Sequence, residues 1–155
     1  MLSVEMVKQE AGSNQCGACA VAMLVDRSRE EILRDVRDPE KSDSFWLSYM
    51  SYLGFSLEDV RDDKDFDRNL TFDGEGFRGH LELPVGDRYY CSVWTPKGVH
   101  AIAIDERGMV FDPGTNAPIT GTCTLAEYLE FNRKSAGSIR VSCCYRVRAP
   151  GQSKG

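Results

Sequence analysis

Three side chains in this sequence have the types and the order of a nucleophile, a base and a group that orients the base. Cys16 comes first, His100 follows 84 residues later, and Asp112 stands 12 beyond the histidine. A thiol attacks a carbonyl carbon as thiolate. An imidazole within reach holds it ionised and later returns a proton to the leaving group, and a carboxylate on the ring's other nitrogen fixes the imidazole's direction. Each residue taken alone has an ordinary reading: a buried cysteine, a satisfied core histidine, and an Asp-Pro-Gly turn at Asp112. Their combination makes acyl transfer the expectation.

The elements around them must then place them. The polar run at 12–15 gives way at Cys16 to a stretch, 16–25, that is apolar nearly all the way round, as a helix buried on every side would be. Cys16 falls in its first turn, where unpaired backbone N–H groups and the positive end of the helix dipole favour an anion and lower a thiol from its free value of about 8.5. From the helix start alone, a reactive thiolate and an inert buried cysteine are equally supported. His100 opens a strand that continues through Ala101 to Ile104, and the chain returns through Met109 to Asp112, the pattern of a hairpin. A three-residue loop, Glu106-Arg107-Gly108, with glycine left-handed, puts Asp105 opposite Met109 and makes partner numbers add to 214. Asp112 then lies opposite Ile102, on the face of His100 and diagonal to it. A loop one residue shorter or longer turns the carboxylate away, unless a bulge corrects it.

Elsewhere, Ser28 and Glu31 match a capping box that opens a second helix with Ile32, Leu33 and Val36 inward. Ser42 caps a third, with Phe45, Tyr49 and Leu53 on one face and Gly54 terminating it. The segment 58–67 holds six acids and two bases and reads as a solvated loop; it lacks the glycine-punctuated spacing of a calcium loop. Strands are expected at 89–94, 99–104, 109–111 and 139–147, and Thr124 with Glu127 opens a further helix carrying Leu125, Tyr128 and Leu129 inward. Helices first and a mostly antiparallel sheet afterwards make the fold class α+β.

Composition agrees with one soluble domain. Apolar residues are 41% and charged residues 28% of 155, with 19 basic against 24 acidic side chains and a net charge of −5, which disfavours disorder, collagen and coiled coil. A single domain over 1–148 with a flexible Gly/Pro-rich tail at 149–155 is expected. The longest apolar run, 18–25, is eight residues, against roughly 20 for a membrane span. The opening lacks a basic start followed by an apolar stretch, so neither secretion nor membrane association is expected, and the cytoplasm is the expected location. Six cysteines in a domain of this size are expected as free thiols, with Cys91, Cys143 and Cys144 behaving as small hydrophobes.

Three stretches carry a family likeness: VKQEAGSNQCGACAVAML at 7–24, VHAIAI at 99–104 and GMVFDP at 108–113. Together the chain resembles the papain-like cysteine peptidases that process bacteriocin leaders at a double glycine. The resemblance implies a papain-like fold, with N-terminal helices and a buried central helix packed on a mostly antiparallel sheet. It also implies a Cys16 nucleophile, a His100 base and an Asp112 orienter. In that family a glutamine shortly before the cysteine donates its amide to the oxyanion hole. Gln9 is the matching position, seven residues ahead of Cys16, and Gln15 competes with it. The implied substrate is a peptide or protein with small residues before the cleaved bond. More distantly the core resembles Josephin-type deubiquitinating enzymes and cell-wall amidases.

Other readings weigh less. Cys16-Gly-Ala-Cys19 is also a C-x-x-C motif of the kind that dithiol oxidoreductases use, but those place it inside a βαβ unit for which 15 preceding residues leave no room. A papain-like scaffold that binds a peptide tail or partner protein without cutting it is the main alternative. Zinc held by Cys16, Cys19, Cys143 and Cys144 fails on spacing, and neither metal nor organic cofactor is expected. Arg140, Ser142, Cys144, Arg146 and Arg148 alternate onto one strand face. With net charge −5 an ordinary solvated face outweighs nucleic-acid binding there, so no nucleic acid is expected. His80 reads as surface or loop.

Overall fold

The computed structural model describes residues 4, 6–7, 15–62, 71–73, 76–78, 83–96, 98–114, 121–136 and 139–151. Among these the fold is a mixed α+β arrangement of four α-helices and a five-stranded antiparallel sheet. Helix α1 spans Cys16–Leu24, α2 Arg29–Asp35 and α3 Asp43–Tyr52. They are followed by β1 (Ser56–Asp59), the short hairpin β2 (Thr71–Asp73) and β3 (Gly76–Arg78), then β4 (Arg88–Thr95), β5 (Gly98–Ile104) and β6 (Val110–Phe111). Helix α4 (Leu125–Ala136) and β7 (Arg140–Arg148) complete it, and the sheet runs β1-β7-β4-β5-β6.

The sheet separates two apolar cores. On one side α1 to α3 pack with Tyr90, Ala101, Ala103, Phe111 and Val147. On the other, Cys91, Val93, Ile102, Ile104, Val110 and Cys144 meet Leu125 and Tyr128 at the start of α4. Strand alternation assigns the faces: within β5, Ala101 and Ala103 point to the helices and Ile102 and Ile104 to α4. Small residues let α1 approach closely, since Ala18, Ala20 and Ala22 are all buried. Gly17 has no room for a side chain: a Cβ there would lie 2.4 Å from Nε1 of Trp46 on α3. The far end of α1 is held by Arg88, which donates to the Leu24 carbonyl at 3.1 Å and to Asp26 at 2.9 Å, placing a cation where the helix dipole is negative.

The caps sit where the sequence puts them. Ser28 and Glu31 exchange both bonds of a capping box, Ser42 accepts from the Phe45 N–H, and Thr124 and Glu127 form a second reciprocal pair at 3.0 and 3.3 Å. Gly54 takes φ +97° after α3. The buried face of α3 is rotated from expectation, however. Trp46, Tyr49 and Met50 are inward while Phe45 and Leu53 are only half-buried, because Trp46 fills the space beside Gly17.

Two further expectations are corrected. The acidic segment is not wholly a loop: Glu58 and Asp59 belong to β1, paired with Arg146 and Tyr145 of β7, and Val60 is buried in the next turn. Arginine partners neutralise these acids, with Arg146 on Glu58 at 3.2 Å and Arg61 on Asp59 at 2.6 Å. The strict alternation along β7 is also broken. A register shift between Ser92 and Val93 pairs them with Cys143 and Val141, and the intervening Ser142 turns its hydroxyl onto the Ser92 carbonyl at 3.0 Å. Val141 and Cys144 therefore share the α4 core. No continuous basic face forms, since Arg146 is 7% exposed and both it and Arg148 pair with Asp87 at 3.2 and 3.0 Å.

Of the tail, 149–151 is described; 152–155 lies outside the described residues, as does His80. No helix among the described residues is long and apolar enough to cross a membrane.

Candidate active site

The hairpin register decides whether His100 and Asp112 meet. Ala103 pairs with Phe111 and Ile104 with Val110, so partner numbers add to 214. The loop closes through Gly108 N–H on the Asp105 carbonyl at 3.0 Å, with Gly108 at φ +84°. The Asp105 side chain, fully buried, accepts from the Arg107 and Met109 N–H groups at 3.0 and 2.9 Å and holds that loop in shape. Asp112, one residue past β6, then turns to the α4 side, where its Oδ1 is hydrogen-bonded to Nε2 of His100.

Cys16 arrives from the opposite face as the first residue of α1, half-buried. Because the Asp105 N–H bonds the Met109 carbonyl, alternate residues back along β5, Ala103 and Ala101, aim their N–H groups to the same side. Strand β6 covers only Ala103 and Ile104. Past its end the Ala101 N–H reaches the Cys16 sulfur, as does the His100 ring. With Nε2 committed to Asp112, Nδ1 is the ring nitrogen left for sulfur. The three side chains singled out by order in the sequence thus meet at the end of β5, where the two cores come together.

Charge follows from these contacts. Burial alone would raise the Cys16 thiol, but the His100 hydrogen bond, the Ala101 N–H, the imidazolium charge and the Gly17 N–H outweigh it and hold the thiol below its ordinary value. Burial likewise pushes His100 down, and the bonds to Asp112 and Cys16 with their charges overcome it, lifting the imidazole to about 10. Asp112, raised by burial, is held below the usual carboxylate range by His100, Tyr128 and the Gly114 N–H. The three shifts run in the directions that favour a thiolate, an imidazolium and a carboxylate in series.

Gln9 lies outside the described residues. Gln15 occupies the N-cap position of α1 without capping it, and its buried Oε1 has no hydrogen-bond partner among the described residues. The Cys16 N–H, first in the helix, has no carbonyl four residues earlier to bond within α1. Two contributors were not expected from sequence. Tyr128 donates its hydroxyl to Oδ2 of Asp112 at 2.7 Å, and the Gly114 N–H donates to Oδ1 at 2.7 Å. The Thr124–Glu127 box fixes where α4 starts and so where Tyr128 points, but sequence offers no rule linking that helix to the carboxylate. Among the described residues no group of three or more His, Cys, Asp or Glu side chains could hold a metal ion.

No protein-family model matches the chain, and no curated protein matches it by sequence.

Proposed function

We propose that this chain is a papain-like cysteine peptidase that hydrolyses a peptide or isopeptide bond. The observation that carries the reading is the convergence of Cys16, His100 and Asp112 from three separate elements, with hydrogen bonds running from sulfur through imidazole to carboxylate. The Cys16 thiolate attacks the carbonyl carbon, and the electron pair moves to the oxygen. The Cys16 backbone N–H and, by the family resemblance, the Gln9 amide stabilise that oxyanion. Collapse breaks the C–N bond as His100 gives its proton to the departing amine, leaving a thioester on Cys16. Water then loses a proton to His100 and attacks the thioester, and the acid and the thiolate separate. Asp112 keeps the ring aligned through both steps. The resemblance directs attention to substrates with small residues, glycine first, before the cleaved bond.

The oxidoreductase alternative finds no support among the described residues, where every strand pairing is antiparallel and no βαβ unit contains α1. A generic acylating ester, 4-nitrophenyl acetate, tests the reading without knowledge of the substrate sequence. An acetyl adduct on Cys16 that turns over in the wild type and is absent in Cys16→Ala is expected. Cleavage of glycine-ended peptide amides should fall by about 10³-fold or more in the same variant. A wild-type Cys16 that takes up no acetyl group, with no amide cleaved, overturns the proposal in favour of a binding scaffold.

A further inference from the structure

Asp112 is 7% exposed and Tyr128 5%, so the bond between them is out of water and its partners cannot be exchanged for solvent. Both residues take their positions from one piece of pairing. The Val110 N–H bonds the Cys123 carbonyl at 2.8 Å, the Gly121 N–H bonds the Val110 carbonyl at 2.6 Å, and Met109 bridges Thr124. Asp112 lies two residues beyond Val110. Tyr128 lies one helical turn beyond Thr124, and its N–H closes that turn on the Thr124 carbonyl at 2.9 Å. The start of α4 and the end of β6 are therefore registered to each other, and the phenol and carboxylate meet as a result.

A carboxylate that orients an imidazole must itself be oriented. Rotation about its terminal bond would exchange Oδ1, which serves His100 and the Gly114 N–H, for Oδ2. We infer that Tyr128 is a positioning residue of this site: its hydroxyl on Oδ2 fixes the carboxylate's rotation, commits Oδ1 to His100, and so lets α4 set the direction in which the imidazole faces Cys16. The inference rests on the Cys16–His100–Asp112 reading above. The groups facing the pair are His100 from β5, Cys123 from the segment before α4 and Cys91 from β4, with Cys16 beyond the ring. Burial raises the Cys123 thiol, and the Cys144 hydrogen bond together with burial raises Cys91. Thiols raised above their ordinary value are neutral at neutral pH, so of the groups facing the carboxylate the imidazolium is its ionic partner.

Tyr128→Phe removes the hydroxyl and keeps the ring. The readouts are the iodoacetamide alkylation rate of Cys16 against pH, mapped by mass spectrometry, and the NMR titration of the His100 Cε1–H. In a variant whose circular dichroism matches the wild type, Cys16 alkylation at pH 6 should fall 3- to 10-fold and the His100 midpoint should move down. In an Asp112→Asn background the same substitution should change the rate less than twofold. A wild-type alkylation profile and His100 midpoint in Tyr128→Phe overturns the inference while leaving the triad standing. An equal fold-loss in both backgrounds also overturns it, because the ring would then act only by packing. Should Cys16 prove unreactive in the wild type, the underlying reading falls and this inference with it. If the phenylalanine variant fails to fold, 3,5-difluorotyrosine in place of Tyr128 carries the test. Its more acidic hydroxyl shifts the His100 midpoint if it acts through Asp112, and leaves it in place if Tyr128 only packs.

Discussion

Cys16 and the pair Cys91–Cys144 are thiols of one chain in opposite electrostatic situations. Cys91 and Cys144 face each other across β4 and β7, both fully buried. There a thiol finds another thiol, and the Cys144 hydrogen bond and burial drive Cys91 well above its ordinary value. Cys143, next in the strand, is pushed up by burial and then by the nearby Asp43 carboxylate. Burial acts in the same direction on Cys16. The sign reverses only because a cation and two backbone N–H groups point at the sulfur. Burial therefore does not distinguish a reactive cysteine from a structural one in this fold. The charge and donors facing it do, and at Cys16 they are assembled where the sheet's two cores meet.

The strongest way to break this comparison is to delete the cation. A thiol near 8.5 is about 0.3 per cent ionised at pH 6. His100→Ala, which leaves a half-buried sulfur without its imidazolium, should therefore slow Cys16 alkylation at that pH by roughly 10²-fold. Cys91 and Cys144 should stay unlabelled in both proteins until they are unfolded. If Cys16 in the wild type reacts no faster than Cys143, the contrast disappears and the acidified thiol with it.

A smaller effect comes from removing the sulfur and reading stability against pH. His100 sits at about 10 in the folded protein and near 6.5 when unfolded. Its stabilisation is complete below about 6.5 and is lost as pH rises through the folded value. Cys16, held low, contributes in the opposite sense: its stabilisation is present above the unfolded thiol value and is lost as pH falls through the folded one. Across neutral pH the two slopes oppose each other. Cys16→Ala leaves the histidine slope alone, reduced because one of its supports is gone. Unfolding free energies from urea titrations of this variant should decline from pH 6.5 to 9 by about 1 to 2 kcal/mol more than those of the wild type. Parallel profiles would mean that no ion pair exists to be broken.

What the sequence reveals of this site depends on how locally each part is encoded. The helix start at Cys16 and both capping boxes are written within four residues. The His100–Asp112 register follows from one three-residue loop with Gly108 at its left-handed position, so it too is legible. Strand β1 is hidden because its acids look solvated until Arg146 is brought beside Glu58 from 88 residues away. The bulge at Ser142 and the turn of α3 toward Gly17 are likewise set by neighbours distant in the chain, and local propensity says nothing of them. Tyr128 was visible as an inward residue of α4, but what it meets there was not.

The smallest effect tests how tightly the carboxylate end of the series is held. A Cβ on Gly114 would lie 3.0 Å from Oδ1 of Asp112 and 3.5 Å from Nε2 of His100, close enough to displace the acceptor by a few tenths of an ångström. Gly114 has an ordinary φ, so alanine meets no backbone strain there. Loss of chain entropy in the unfolded state returns about 0.4 to 1 kcal/mol toward stability. Gly114→Ala should therefore melt within a few degrees of the wild type while Cys16 alkylation at pH 6 slows about 3- to 5-fold, a cost of roughly 1 kcal/mol in orientation. The sheet thiols should not respond. A lowered melting temperature with unchanged alkylation would place the strain in the fold and leave the imidazole's direction independent of this glycine. The contrast between Cys16 and Cys91 would then rest on charge alone, without a requirement for alignment.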